Sequence, residues 1–329
     1  MARKRYTQAI TEALFEEMER DQNIILFGED VELAIFGDTR GLHERFGPDR
    51  IRNTPISEAT LAGMAVGAAA AGHRVILHLL FSNFVYTAFD AIANQMAKLR
   101  LMTGGQIELP ITVLAIYGAG ASQAAQHSDT PHPLLMNIGG VNVAVPATPA
   151  DAKGLLKTAI RGNSPTFFLE GGGLGGSAGE VPDGEWSIPF GEASRLQEGD
   201  DVTLITIGST IRATQSAAKA LLADGIRADV IDLRTLVPLD EAGILDSVRR
   251  TGRVVIADEA RLRCSAASEV AAVIAEKGFD LLKASVRRIA VPDVSMPYAP
   301  DAERTVMPTA DKIAAAAREL VATSRRVAA

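Results

Sequence analysis

The sequence predicts an α/β fold, with a parallel-sheet domain covered by helices on both faces followed by a smaller α/β domain. Three observations predict it. Short apolar runs alternate with segments whose apolar residues recur at helical spacing, the pattern of buried strands joined by crossover helices. The alternation pauses in a stretch rich in glycine between Glu170 and Asp200 and then resumes, as a linker between domains would make it do. A length of 329 residues suits two domains, and 47% hydrophobic with 22% charged residues is the balance of a well-cored chain. Aromatic residues make up only 5%, so Ala, Val, Ile and Leu must build the cores.

The elements follow in order. Thr7–Met18 is a helix with Ala9, Ile10, Ala13, Leu14 and Met18 on one face. Ile24–Phe27 is a buried strand ended by Gly28-Glu29-Asp30, and Val31–Pro48, polar and rich in glycine, is expected to be irregular. Ile51–Ile56 is extended. Ser57 then opens a helix of small residues to Ala71, where Gly63 and Gly67, four apart, would let another backbone approach. Val75–Leu80 is a strand and Phe84–Met102 a long helix; Ile111–Ile116, Val141–Val145 and Thr166–Leu169 are further strands. Before the last of these, Thr148 is a natural cap, Pro149 a natural first helical residue, and Asp151 suits the positive helix end. After the linker, strands at Val202–Ile207, Ala228–Leu233, Val254–Ala257 and Val286–Ala290 accompany helices at Ile211–Ala223 and Leu239–Arg249, and a helix runs from Ala310 to about Thr323. The domains are expected at 1–180 and 190–329.

Several function classes are disfavoured. The net charge is -7 and no basic stripe occurs, so a nucleic-acid partner is not expected. One cysteine, Cys264, allows neither an intrachain disulfide nor a cysteine metal cluster and suits a reducing compartment. No apolar segment follows the basic residues at the N-terminus as it would in a secretory signal. The most apolar stretch, Ala59–Gly72, is shorter than the ~20 residues that span a bilayer, so the expectation is a cytoplasmic protein with no membrane partner. Gly171, Gly173 and Gly176 match G-x-G-x-x-G after a strand, but Ser177–Pro182 reads as loop where a dinucleotide site needs a helix. That argues against a nucleotide-binding module.

Taken singly, the candidate site residues are ambiguous. Glu58 reads most simply as a first-turn carboxylate complementing the dipole of a helix capped by Ser57. His127 reads equally as a hydrogen-bonded loop histidine or as a group lying beyond a strand's carboxyl end, where ligands gather. Phe81 and Phe84 read as core.

Their order and spacing change this. The chain carries Asn53-Thr54-Pro55-Ile56-Ser57-Glu58, Phe81-Ser82-Asn83-Phe84 with Phe89-Asp90, and Gln126-His127-Ser128. It also carries Thr148-Pro149-Ala150-Asp151-Ala152-Lys153-Gly154, Asp232-Leu233-Arg234-Thr235-Leu236 with Pro238-Leu239-Asp240, and Met296-Pro297-Tyr298. Over nearly its whole length, from Thr7 to the C-terminal helix, it resembles the β subunit of the thiamine-diphosphate-dependent 2-oxo acid dehydrogenases, a transketolase-like group.

That resemblance implies an oxidoreductase, active as an α2β2 heterotetramer with thiamine diphosphate at the α–β interface. The α subunit would hold the diphosphate and Mg2+, which agrees with the lack of a Gly-Asp-Gly motif in this chain. It implies Glu58 facing N1′ of the aminopyrimidine, Leu80 and Phe84 packing around that ring, and His127 on the thiazolium C2 side. A buried glutamate raised by desolvation shares a proton with the ring near neutral pH, which favours loss of the C2 proton. His127 would donate a proton as an acyl group passes to the lipoyl arm of an acyltransferase core. Potassium is implied on backbone carbonyls of Ile111, Ala159, Ile160, Gly162 and Ser164. Departures from the family pattern bear on the substrate. Asp129-Thr130-Pro131-His132-Pro133 rewrites the loop after His127, Arg261–Ser265 replaces a Gly-Gly stretch, and Leu114-Ala115 stands where relatives often place Arg-Gly. These variants are most similar to acetoin dehydrogenases, and Asp129 is expected to repel a carboxylate. Pyruvate and branched-chain 2-oxo acids are the alternative substrates, and a non-catalytic scaffold subunit is the alternative class.

Overall fold

The computed structural model describes residues 1–327, with side chains described as far as Thr323. The chain forms two compact units, one of Met1–Tyr117 and Leu134–Phe190, the other of Gly118–Pro133 and the chain from Gly191 onward. The first unit is therefore interrupted: the sixteen-residue excursion after its Ile111–Tyr117 strand belongs to the second.

The first unit runs β1 (Ala2–Arg5), α1 (Tyr6–Arg20), β2 (Ile24–Gly28), α2 (Leu42–Phe46), β3 (Ile51–Asn53), α3 (Glu58–Ala70), β4 (Arg74–Phe81), α4 (Leu99–Met102) and β5 (Ile111–Tyr117). Then come α5 (His132–Met136), which begins within the excursion, β6 (Asn142–Ala144), α6 (Pro149–Arg161), β7 (Thr166–Gly171) and β8 (Ala178–Val181). Six strands lie parallel in the order β6-β7-β5-β4-β2-β3. Their centres are buried runs such as Ile76-Leu77, Val113-Leu114 and Phe167-Phe168-Leu169. Burying each such side chain contributes roughly 1.5–3 kcal/mol. Helices α1 and α6 pack together, while α3 packs on β4 and on the segment 91–96. Thr148 caps α6 as expected, its hydroxyl accepting Asp151 N–H at 3.1 Å, with Pro149 in the first turn.

Four expectations are corrected in this unit. Phe84–Met102 is not one helix but a 3-10 turn at Ser82–Val85, a π-helical turn at Ala91–Met96 and the short α4. Phe84-Val85-Tyr86-Thr87 are poor helix formers. Val31–Pro48 is not wholly irregular, since it holds α2. No backbone of this chain approaches Gly63 or Gly67, which are exposed: a Cβ on either would meet nothing within 4 Å among the described residues. Beyond Gly171–Gly176 the chain is not loose linker, because β8 pairs antiparallel with β1, Ala2 opposite Val181. No helix follows these glycines, in line with rejecting a dinucleotide site.

The second unit holds β9 (Ser194–Gln197), β10 (Val202–Thr206), α7 (Ile211–Ala223), β11 (Ala228–Asp232), β12 (Thr235–Val237), α8 (Glu241–Thr251), β13 (Val254–Arg261), α9 (Ala266–Lys277), β14 (Arg287–Val291), α10 (Pro300–Val306) and α11 (Ala310–Val327). Its sheet has the order β14-β13-β10-β11-β9, parallel except for β9. Val202, Leu204, Val230 and Val255 pack against Ala217 and Leu221 of α7 and Ile313, Ala317 and Leu320 of α11. The sequence reading missed α9, although Ser265 caps it, accepting Ser268 N–H at 3.2 Å, and Gly278 ends it.

Candidate active site

In open parallel sheets, ligands bind beyond the strand carboxyl ends where successive connections leave in opposite directions. That point lies between β2, which connects toward β3, and β4, which connects toward β5. Glu29 follows β2, Thr54–Glu58 follow β3, and Leu80–Phe84 end and follow β4, so Glu29, Glu58, Leu80 and Phe84 together come from the carboxyl ends of three adjacent strands.

Glu58 is the first residue of α3 and only 8% exposed. Ser57 precedes it but makes no cap; its hydroxyl donates to Thr60 Oγ1 at 2.9 Å. Glu29, which the sequence reading noted only as a strand end, is buried beside Glu58. Its carboxyl is pushed up to about 7, first by burial and then by the Glu58 and Asp30 carboxylates, with His78 opposing. A hydrogen bond with Glu58 works in the same upward direction. Glu29 therefore keeps its proton to near neutral pH beside Glu58. Glu29 Oε1 and the nearby Thr54 Oγ1 are buried polar atoms with no hydrogen-bond partner among the described residues. Thr54 is tied to the strand end by its N–H donating to Gly28 O at 3.0 Å. Unmatched groups at such a place fit a polar ligand ring.

Leu80 has φ +58, a left-handed conformation that costs a leucine about 1–3 kcal/mol. It lies where the β4–β5 register shifts, between His78 and Phe81. Leu80 N–H donates to His78 Nδ1 at 3.3 Å, and His78 Nε2 bonds Asp38 Oδ2 at 2.8 Å, with both side chains buried. Burial pushes the Asp38 carboxyl up, but the imidazole and the Asp38 and Thr39 N–H groups outweigh it and hold it below the ordinary range. Opposite His78 stands Gly28, where any Cβ would lie 2.1 Å from His78 O. Phe84, half-buried, packs edge-to-face on Phe81 (centroids 6.2 Å apart), and Phe81 likewise on Phe36 (5.3 Å). Phe36, Asp38 and His78 were not picked out from the sequence, because only the fold brings 36–38 to the end of β4.

His127 lies in the excursion, half-buried, within the second unit. Ser122 and Ala124 before it are left-handed (φ +54 and +60). Asp129 does not present a bare charge: its Oδ1 pairs with Arg261 Nη2 at 3.0 Å. The expectation that Asp129 repels a carboxylate is corrected accordingly.

The residues matched by known families coincide with these elements. Residues 3–175 match the transketolase pyrimidine-binding domain and residues 191–313 the transketolase C-terminal domain. The chain belongs to the transketolase family. It is 43% identical to the β subunit of the acetoin:2,6-dichlorophenolindophenol oxidoreductase of Cupriavidus necator, over 97% of this chain and 98% of that one. It is 38% identical to the pyruvate dehydrogenase E1 β subunit of Bacillus subtilis, over 98% and 99%. Among solved structures it is similar to a split-gene transketolase described as an inactive β4 tetramer, with TM-score 0.80, 26% identity, and 97% and 98% of the two chains covered. Within the family it stands among the E1 β subunits of thiamine-dependent dehydrogenase complexes, which are oxidoreductases.

The potassium site that the resemblance implies does not fit the residues present. Of the carbonyls expected to hold the ion, those of Ile160 and Gly162 each accept a hydrogen bond from Arg74 Nη1, at 2.6 and 2.5 Å. Arg74 Nη2 also reaches Asn163 Oδ1 at 3.2 Å. The guanidinium supplies the positive charge that the C-terminal end of α6 attracts, and a potassium ion on the same carbonyls would be repelled by it. No group of three or more His, Cys, Asp or Glu suited to a metal occurs among the described residues. Nor is any helix among them long and apolar enough to cross a membrane.

Proposed function

We propose that the chain supplies the pyrimidine-binding half of a thiamine-diphosphate site, completed by an α subunit that holds the diphosphate and Mg2+ in an α2β2 assembly, and that the assembly acts on acetoin. The observation that carries this is the buried Glu58–Glu29 pair at the switch point of the parallel sheet, with unmatched polar atoms beside it.

When bound, thiamine diphosphate supplies a nucleophilic thiazolium carbon and an electron sink for cleaving the bond next to a carbonyl. The chain's own residues do the rest. Glu58 shares a proton with N1′ of the aminopyrimidine, and Glu29, which keeps its own proton to near neutral pH, stands beside it as a proton source. Leu80, held in its left-handed conformation, and Phe84, buttressed by Phe81 and Phe36, form the apolar wall that excludes water from the ring. His127 moves a proton at the substrate oxygen as the acyl group leaves for the lipoyl arm of an acyltransferase core.

Acetoin is favoured over pyruvate because the excursion carrying His127 contains no Lys or Arg, and Arg261, which reaches it, is committed to Asp129. A substrate carboxylate would have to break that pair or stay uncompensated. The likeness to the acetoin-oxidising β subunit points the same way. The test is reconstitution with an α subunit and assay with an artificial electron acceptor. kcat/KM is expected to be higher for acetoin than for pyruvate or a branched 2-oxo acid, with acetaldehyde released in step with acetoin consumption. A preference for a 2-oxo acid refutes the substrate assignment and leaves the cofactor side standing.

A further inference from the structure

The excursion Gly118–Pro133 is held mainly from β13, with α10 and β14 adding contacts to its outgoing side. At its base, Gly118 N–H donates to Asp129 O at 3.1 Å, closing the two ends on each other. On the outgoing side, Ala119 N–H donates to Glu259 Oε1, and Gly120 N–H to Glu303 Oε1 at 3.0 Å. Ala119 also packs on Val291 and Met296. Gly118 has to be glycine, because it is left-handed (φ +90) and a Cβ there would lie 2.5 Å from Glu259 Oε1. On the returning side, Arg261 pairs with Asp129 at 3.0 Å, and Asp258 Oδ1 bonds His132 Nε2 at 3.0 Å with both side chains buried.

The strand residues making these contacts are themselves fixed. Asp258 accepts Ala260 N–H at 3.0 Å and Ala267 N–H at 3.1 Å. Glu259 Oε2 accepts the Ser209 hydroxyl, and Arg261 Nε donates to Val294 O at 3.1 Å. Three residues of β13 thus grip positions 119, 129 and 132, on both sides of the segment that carries His127. That segment keeps two residues in left-handed conformations, a geometry that persists only when its surroundings over-determine it.

We propose that Asp258, Glu259 and Arg261 are positioning residues for the reaction, a clamp through which β13 sets the place of His127. The proposal rests on the reading of His127 as the proton donor at the substrate. It assigns a role to the Asp-Glu-Ala-Arg stretch that composition and spacing do not suggest. The clamp acts on the substrate side and leaves Glu58, Leu80 and Phe84 untouched.

The experiment uses the chain assembled with its α subunit. Glu259→Ala and Arg261→Met are compared with Glu259→Gln, which keeps an acceptor for Ala119 and a donor for Ser209, and with the exchanged pair Asp129→Arg/Arg261→Asp. Amide hydrogen exchange in 118–133 should rise roughly tenfold or more in the first two variants and stay slow in α7 and α11. In the same two variants kcat should fall roughly 10- to 100-fold, as for a misplaced catalytic group. KM for thiamine diphosphate should hold, and Glu259→Gln and the exchanged pair should recover. Unchanged exchange in 118–133 overturns the clamp. Faster exchange with wild-type kcat overturns the positioning role if His127→Ala is impaired, and overturns the role of His127 if that variant turns over normally.

Discussion

At the residue scale, the decisive group is Glu58. As a helix-end carboxylate it would be interchangeable with glutamine at a small cost in stability, since glutamine fills the same volume and only the dipole contribution of about 0.3–1 kcal/mol is lost. As the group that shares a proton with the cofactor ring it would not, because an amide cannot exchange that proton. Glu58→Gln in the reconstituted enzyme should therefore reduce turnover by of order 10²–10⁴, the usual worth of a positioned acid–base group. The melting temperature should change little; a near-wild-type rate returns Glu58 to the helix-end role. Glu29 deepens the contrast, because its raised carboxyl depends on Glu58 being negative as well as on burial. The sequence offers Glu29 no distinguishing mark beyond its place after an apolar run, whereas the fold puts it next to Glu58.

At the element scale, the end of α6 makes a different point. Its last carbonyls need donors or a cation, and Arg74 from the start of β4 supplies the donors. Arg74→Met should leave these acceptors poorly satisfied and cost about 1–2 kcal/mol, read as a lower melting temperature. Replacing potassium by choline should leave the wild-type melting temperature unchanged, and a clear rise on adding potassium to the wild-type chain would show that the carbonyls hold the ion after all. The same scale shows what sequence patterns convey. β2, β4, β5 and α7 were legible to within a residue or two, because buried parallel strands are short apolar runs and α7 has an unbroken helical period. The segment 82–102 was not, because aromatic and β-branched residues followed by Ala91–Met96 keep an apolar spacing whether the backbone winds as α, 3-10 or π helix. The β1–β8 ribbon was illegible for another reason: its partners are 173 to 179 positions apart in the sequence, and half of them are charged. Glu58, Leu80, Phe84 and His127 were singled out through family spacing, while the residues that pack or bond around these segments, Asp38, His78, Phe36 and Glu259, lie on other elements and carry no local signature.

At the scale of the whole molecule, buried carboxyls of opposite tendency set how stability depends on pH. Burial pushes Asp38 and Asp258 up, but their histidine partners and backbone N–H groups outweigh it and hold them below the ordinary range. They favour the fold above the pKa of an unfolded aspartate, and that contribution is lost as pH falls through their lower folded values. Glu29 and Glu259 are each raised to about 7, chiefly by burial, and Glu170 is raised as well, first by burial and then by Asp38. Their contribution is fully present below the unfolded value and is lost as pH rises toward and through the folded one. The two sets together predict greatest thermal stability in mildly acidic solution, with a decline from about pH 5 to pH 8. Glu259 isolates the alkaline side. It is enclosed by Ser209, Ala119 N–H, His132 and Asp258, of which Ser209, Ala119 and His132 favour its ionised form and Asp258 opposes it; burial outweighs their sum. Glu259→Gln reproduces the protonated carboxyl, keeping an acceptor for Ala119 and a donor for Ser209. At pH 4, below the unfolded value, the variant and the wild-type chain should melt nearly together. At pH 8.5 the variant should be more stable by up to about 3 kcal/mol, the equivalent of the displacement of one carboxyl. Calorimetric melting curves across this range check it, and a variant that tracks the wild-type chain at every pH would mean that Glu259 ionises inside the second unit without cost.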